Sequence, residues 1–146
     1  MRFAPFMALG LLAACGVPST EANDNASSDV IAASDISGIY FGRVGHDSSY
    51  LELTQSGGII TGTACERPGH DCYPLVNGTI VNGRLTAGYS WIENGRTETV
   101  AIDLAPTAGP GPSPLVGTYT ASKCNCTLQA SLNFYANASD IPPHWD

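Results

Sequence analysis

Residues 84–104 read RLTAGYSWIENGRTETVAIDL, and their alternation decides the fold. In the first half Leu85, Ala87, Tyr89 and Trp91 share one face, and Thr86, Gly88 and Ser90 share the other. In the second half Val100, Ile102 and Leu104 oppose Thr99, Ala101 and Asp103. A period of two with one apolar face is the pattern of a half-buried strand. Between the halves stands Asn94-Gly95, a pair that accepts the positive φ angles of a two-residue hairpin turn. The stretch therefore predicts an antiparallel hairpin, wet on one side and dry on the other.

The same pattern extends in both directions. Upstream, β-rich runs cover Ile36–Val44, Ser49–Gln55, Ile59–Cys65 and Leu75–Val81. They are parted by Gly45–Ser48, Ser56–Gly58 and a longer expected loop, Glu66–Tyr73; Asn82-Gly83 then leads into the deciding hairpin, Arg84–Ile92 and Arg96–Leu104. Downstream, the proline- and glycine-rich segment Pro106–Pro114 interrupts regular structure. Leu115–Ser122 and Cys126–Tyr135 follow, and in the last run Leu128, Ala130, Leu132 and Phe134 oppose Thr127, Gln129, Ser131 and Asn133. No segment keeps a helical period long enough to compete. The expectation is an all-β, antiparallel up-and-down meander of about eight strands, which removes its raw edges by closing into a small β-barrel. Glycines inside the runs, at 38, 42, 62, 78, 88 and 117, supply the bends that closure needs.

Gly38-Ile39-Tyr40, near the start of the expected domain, stands where lipocalins carry Gly-x-Trp. With the eight-strand pattern it resembles the small calycin-type barrels, the lipocalin and avidin-like group. The tryptophan is absent, and the resemblance implies a fold rather than an activity.

Ahead of the domain lies an export signal. Arg2 supplies one positive charge, and Phe3–Ala14 carries none. Twelve residues of helix span about 18 Å, short of the roughly 30 Å bilayer core, so the segment reads as a signal and not as a membrane span. Leu12-Ala13-Ala14-Cys15 resembles the lipobox of bacterial lipoproteins, where small residues precede the cysteine that is acylated and becomes residue one. The resemblance implies residues 1–14 as signal peptide and Cys15 as the lipid-bearing residue. Gly16, rather than aspartate, follows, which favours outer-membrane over inner-membrane residence. Residues 15–35, rich in Ser, Ala, Asn and Asp, read as the lipidated cysteine and a flexible tether. Residues 36–146 are the expected β-barrel domain.

Cleavage after Ala14 leaves five basic and thirteen acidic residues. No basic cluster exists, so nucleic acid is an unsuitable partner. The membrane is expected to be reached through the lipid alone.

Four further cysteines, Cys65, Cys72, Cys124 and Cys126, fall at one end of the meander, and an oxidising compartment pairs them. Three connectivities exist. The local one joins Cys65 to Cys72 and Cys124 to Cys126; the other two stitch one loop to the other across the barrel mouth. The cross-loop pairing is the preferred expectation, because a Cys-x-Cys ring is strained. A zinc site with His70 and a redox role for Cys124–Cys126 are the lesser readings, and no metal or cofactor is expected.

His46, Asp47, His70, Asp71, Trp91 and Lys123 collect at the same rim and form the candidate binding set. There is no Gly-x-Ser-x-Gly, no phosphate-cradling loop and no paired carboxylates, so a binding module is expected rather than an enzyme. The leading reading is a lipid-anchored extracytoplasmic module, with a disulfide-braced loop rim that engages a protein partner. Small β-barrel lipoproteins that it resembles in build include inhibitors of lysozymes and proteases. The alternatives are a carrier of a small apolar ligand inside the barrel and a structural envelope lipoprotein. Ala87 and Ala130 leave room inside, whereas Tyr89, Leu128, Leu132 and Phe134 argue for a filled core.

Overall fold

The computed structural model describes residues 35–108 and 112–143. The readings that concern the signal segment, Cys15 and nearly all of the tether lie outside the described residues. Among the described residues nine strands form one antiparallel sheet: β1 (Gly38–Val44), β2 (Asp47–Ser56), β3 (Ile59–Arg67), β4 (His70–Pro74), β5 (Val76–Val81), β6 (Arg84–Glu93), β7 (Arg96–Pro106), β8 (Leu115–Ala121) and β9 (Cys126–Tyr135). Pairing runs β1–β2–β3–β5–β6–β7–β8–β9 and returns to β1, which closes an eight-stranded barrel. β4 is an extra segment beside β3. Each hairpin of the meander is present, and the ring closes, while β4 pairs only with β3 and residues 89–93 of β6 pair only with β7.

Three local differences from the expected runs matter for the site. Gly45–Ser48 tightens to a two-residue turn, Gly45-His46, because Asp47 and Ser48 pair with Val44 and Arg43. The expected loop Glu66–Tyr73 is mostly strand: β3 runs on to Arg67, Pro68-Gly69 turn, and Cys65 faces Cys72 in register. Main-chain pairing there satisfies donors and acceptors that a loop would leave to solvent. The fourth expected run is broken between Val76 and Thr79, where the pairing with β6 slips by one residue. Asn77 carries the positive φ of this bulge, +53°. At Asn82-Gly83 and Asn94-Gly95 both residues have positive φ, the type I′ geometry that the sequence predicts.

Closure depends on two glycines in particular. Gly62 (φ +150°) and Gly117 (φ +157°) take conformations disfavoured for side-chain-bearing residues. A Cβ there would overlap the carbonyl oxygens of Glu52 and Asp103 on the neighbouring strands. The backbones approach closely at these two points, and the sheet bends there.

The interior is graded along the barrel axis. The end away from the cysteines is filled by Tyr40, Leu53, Ile60, Ile80, Leu85, Leu104, Leu115 and Leu132, all buried. Ile36, ahead of β1, completes this plug, and its N–H donates to Gln55 Oε1 at 3.0 Å. Each fully buried Leu or Ile there contributes about 1.5–3 kcal/mol. Toward the other end the buried inward positions become Val44, Ser49, Ala64, Ala87, Val100 and Ala130, which are shorter or polar. Fewer side-chain atoms fill the same circumference, and the barrel is hollow there.

A second apolar cluster lies on the outer wall. Phe41, Tyr50 and Cys65 occupy the positions next to the inward Tyr40, Leu51 and Ala64 and therefore face the opposite way. Ile39, Tyr135 and Ile141 pack against them. Ile141 arrives by a short 3₁₀ turn, Ala138–Asp140, where the Asp140 carboxylate accepts from the Asn137 N–H at 3.1 Å.

Candidate binding site at the barrel mouth

At the hollow end the barrel opens into a cavity of about 600 Å³. One wall is aromatic. Tyr89 and Trp91 stand two residues apart on the inward face of β6, and Tyr73 joins them from β4. Tyr73 and Tyr89 stack with centroids 5.7 Å apart and planes 8° from parallel; Trp91 lies 5.7 Å from Tyr73 and 6.1 Å from Tyr89. These are favourable offset distances, so the three rings support each other as one surface.

The floor is polar. Ser49 and Tyr119 are both buried and share one hydroxyl–hydroxyl hydrogen bond of 3.3 Å. Two hydroxyls carry two protons, and one bond uses only one. The other proton has no protein acceptor among the described residues, and both residues line the cavity. Burial raises the Tyr119 phenol above its ordinary pKa, partly offset by the Ser49 bond. Burial, with a smaller contribution from Tyr73, pushes Tyr89 up to about 12. Both phenols are neutral at physiological pH and keep their protons to donate.

The lip is charged. Lys123 Nζ donates to both carboxylate oxygens of Glu93 at 2.8 Å. The Trp91 indole N–H donates to the same carboxylate at 3.4 Å. These contacts, led by Lys123, hold the Glu93 carboxyl below its ordinary range, and Glu93 in turn raises Lys123. Asp47, Glu66 and Asp71 also line the cavity, from the tops of β2, β3 and β4. Their strands are adjacent, and the Ser48 hydroxyl donates to the Glu66 carbonyl at 3.1 Å.

Both disulfides are local, Cys65–Cys72 and Cys124–Cys126, with Cα atoms 4.1 and 5.1 Å apart. The preferred cross-loop pairing is therefore corrected. The physical reason is the ring order. Passing from β3 through β2 and β1 to β9 takes three strand spacings, roughly 14 Å, twice the span a disulfide bridges. The Cys65–Cys72 bridge ties β3 to β4, with Cys65 in the outer cluster, and the Cys124–Cys126 bridge lies in the turn between β8 and β9. The rim is also less loop-rich than expected. Its connections are two-residue turns at Gly45-His46, Pro68-Gly69 and Asn94-Gly95, plus the four residues Ser122–Asn125.

Of the candidate set, Asp47, Asp71, Trp91 and Lys123 line one cavity. His46 and His70 are exposed at the turns and do not line it. No group of three His, Cys, Asp or Glu residues among the described residues is placed to hold a metal ion. Sequence reasoning missed Tyr73, hidden in the supposed loop, and the Ser49–Tyr119 floor. The alternation of β8, which puts Leu115, Tyr119 and Ala121 on one face, marks Tyr119 as inward.

No protein-family model matches the sequence, and neither curated proteins nor solved structures match it. What the structure shows is an eight-stranded antiparallel closed barrel with one extra strand, and an architecture of this kind does not by itself assign an activity.

Proposed function

We propose that this domain is a non-catalytic binding module of the bacterial envelope, anchored through a lipid on Cys15, and that it holds a small ligand in the barrel mouth. The observation that carries this reading is the cavity of about 600 Å³, which combines an aromatic wall with a buried hydroxyl pair. An apolar lining with a few fixed polar groups is the usual composition of a small-molecule site. Binding by loops inserted into an enzyme cleft is less favoured, because three of the four connections are two-residue turns.

Saturation-transfer NMR with indole, a flat neutral probe, tests the reading on the intact chain in neutral detergent. Transfer is expected from the protein to indole, and Trp91→Ala and Tyr89→Leu should remove it. Transfer that survives both substitutions, or none at all, overturns the mouth as the binding site.

A second reading, a protein partner at the rim, is favoured by one residue. Ile92 is 77 % exposed beside the mouth and offers apolar area that a partner surface would bury.

A further inference from the structure

The mouth is not chemically symmetrical, and the asymmetry selects a ligand class. Trp91, Tyr89 and Tyr73 present electron-rich rings to the cavity from one arc of the wall. Asp47, Glu66 and Asp71 line it from the tops of the adjacent strands β2, β3 and β4. Among the described side chains Lys123 is the single basic residue of the lining, and Glu93 already neutralises it through both carboxylate oxygens. The described lining thus carries four carboxylates, Asp47, Glu66, Asp71 and Glu93, against one ammonium, and its charge is net negative. Below it, the buried Ser49–Tyr119 pair retains one hydroxyl proton without a protein acceptor.

We propose that the mouth cavity binds an organic cation: an ammonium-bearing ligand with an apolar or aromatic body, its positive end against the ring wall and the acidic lip. Resting on the proposed mouth-cavity reading, this inference names the ligand's charge. Ring faces attract cations through their quadrupole, best for tryptophan, and a partly enclosed site strengthens the contact by excluding water. Carboxylates near an opening raise the local concentration of cations and repel anions. A ligand carbonyl or ether oxygen would accept the spare proton on the floor. Neither the rings nor the carboxylates require a metal, and no bond is made or broken.

The test compares benzyltrimethylammonium with neopentylbenzene, its uncharged isostere, by ligand-detected NMR titration on the intact chain in neutral detergent. The cation is expected to bind about tenfold tighter, the ratio that one cation–ring contact carries. The triple variant Asp47→Asn, Glu66→Gln, Asp71→Asn changes only exposed side chains and should fold normally. It is expected to cut that preference severalfold and leave the isostere unchanged. Equal binding of the two probes, lost in Trp91→Ala, overturns the cation inference and leaves the cavity reading standing. A cation preference that the triple variant does not alter overturns the part assigned to the lip. Binding of neither probe overturns both.

Discussion

The two ends of this barrel share strands and hairpin geometry and yet are packed differently. The plugged end is packed with Leu, Ile and Tyr40 around Ile36; the open end substitutes Ser49, Ala64, Ala87 and Ala130 at equivalent inward positions. The difference teaches how a short eight-stranded barrel can be both stable and hollow. Side-chain volume is concentrated at one end, where dispersion and apolar burial are greatest, and withdrawn from the other. A barrel this narrow has no room for a uniform lining that does both. Rings at the mouth fill part of the space by packing on each other, without reaching across it.

Breaking the comparison at the plugged end should have the largest effect. Gly117→Val places branched carbons against the Asp103 carbonyl at a positive-φ position. The expected outcome is loss of the cooperative unfolding transition, checked by near-UV circular dichroism on heating. Leu104→Ala or Leu132→Ala, both fully buried, should each cost about 2–5 kcal/mol in urea denaturation. At the mouth, Trp91→Ala should cost about 1 kcal/mol or less, because the ring is already partly solvated, while it abolishes probe binding. A mouth substitution that costs as much as Leu104→Ala would remove the distinction between the ends.

The disulfides sharpen it at intermediate magnitude. The loop between Cys65 and Cys72 spans only seven positions, so loop-closure entropy is worth about 2.5 kcal/mol, against about 4 for the cross-mouth bridges the sequence suggested. Cys65→Ala with Cys72→Ala should therefore lower stability without unfolding the barrel. Non-reducing peptide mapping should recover Cys65 and Cys72 in one linked fragment and Cys124 and Cys126 in another.

The smallest effect concerns the lip. Glu93 has a lowered pKa in the folded chain, chiefly through its hydrogen bond from Lys123. A depressed carboxyl contributes stability above its unfolded pKa, near about 4.3, and loses it as pH falls through the folded value. Lys123→Met should thus lower the melting temperature slightly at pH 7. The difference from the parent chain should vanish below the depressed Glu93 value. The pair is exposed, and salt should shrink the effect.

Much of this contrast was legible in the sequence and some was not. The alternation of Leu85 to Trp91 and of Val100 to Leu104 specifies the barrel because a one-residue slip would expose the whole apolar face. The Asn-Gly turns fix the register of two hairpins for the same local reason. In the sequence, small Ala87 and Ala130 and large Tyr89, Leu128, Leu132 and Phe134 alternate on inward faces, a mixture compatible with a hollow or a filled interior. The structure resolves this along the axis, a dimension that composition does not carry. The pairing of Cys65 with Cys72 has no clear sequence signal, since Pro68-Gly69 and the polar His70 and Asp71 that follow carry the composition of one long loop. The Ser49–Tyr119 contact joins residues seventy positions apart and has no local signature.

One measurement tests the division of labour most directly: a ¹H–¹⁵N NMR titration of the intact chain with benzyltrimethylammonium. Shifts confined to the Trp91 indole and to the amides of Ser49, Tyr73, Tyr89 and Tyr119, with Tyr40, Leu104 and Leu132 unmoved, are the expected result. Shifts centred on the plugged end, or spread over the outer wall around Phe41 and Tyr50, would contradict a barrel whose mouth binds and whose base holds it together.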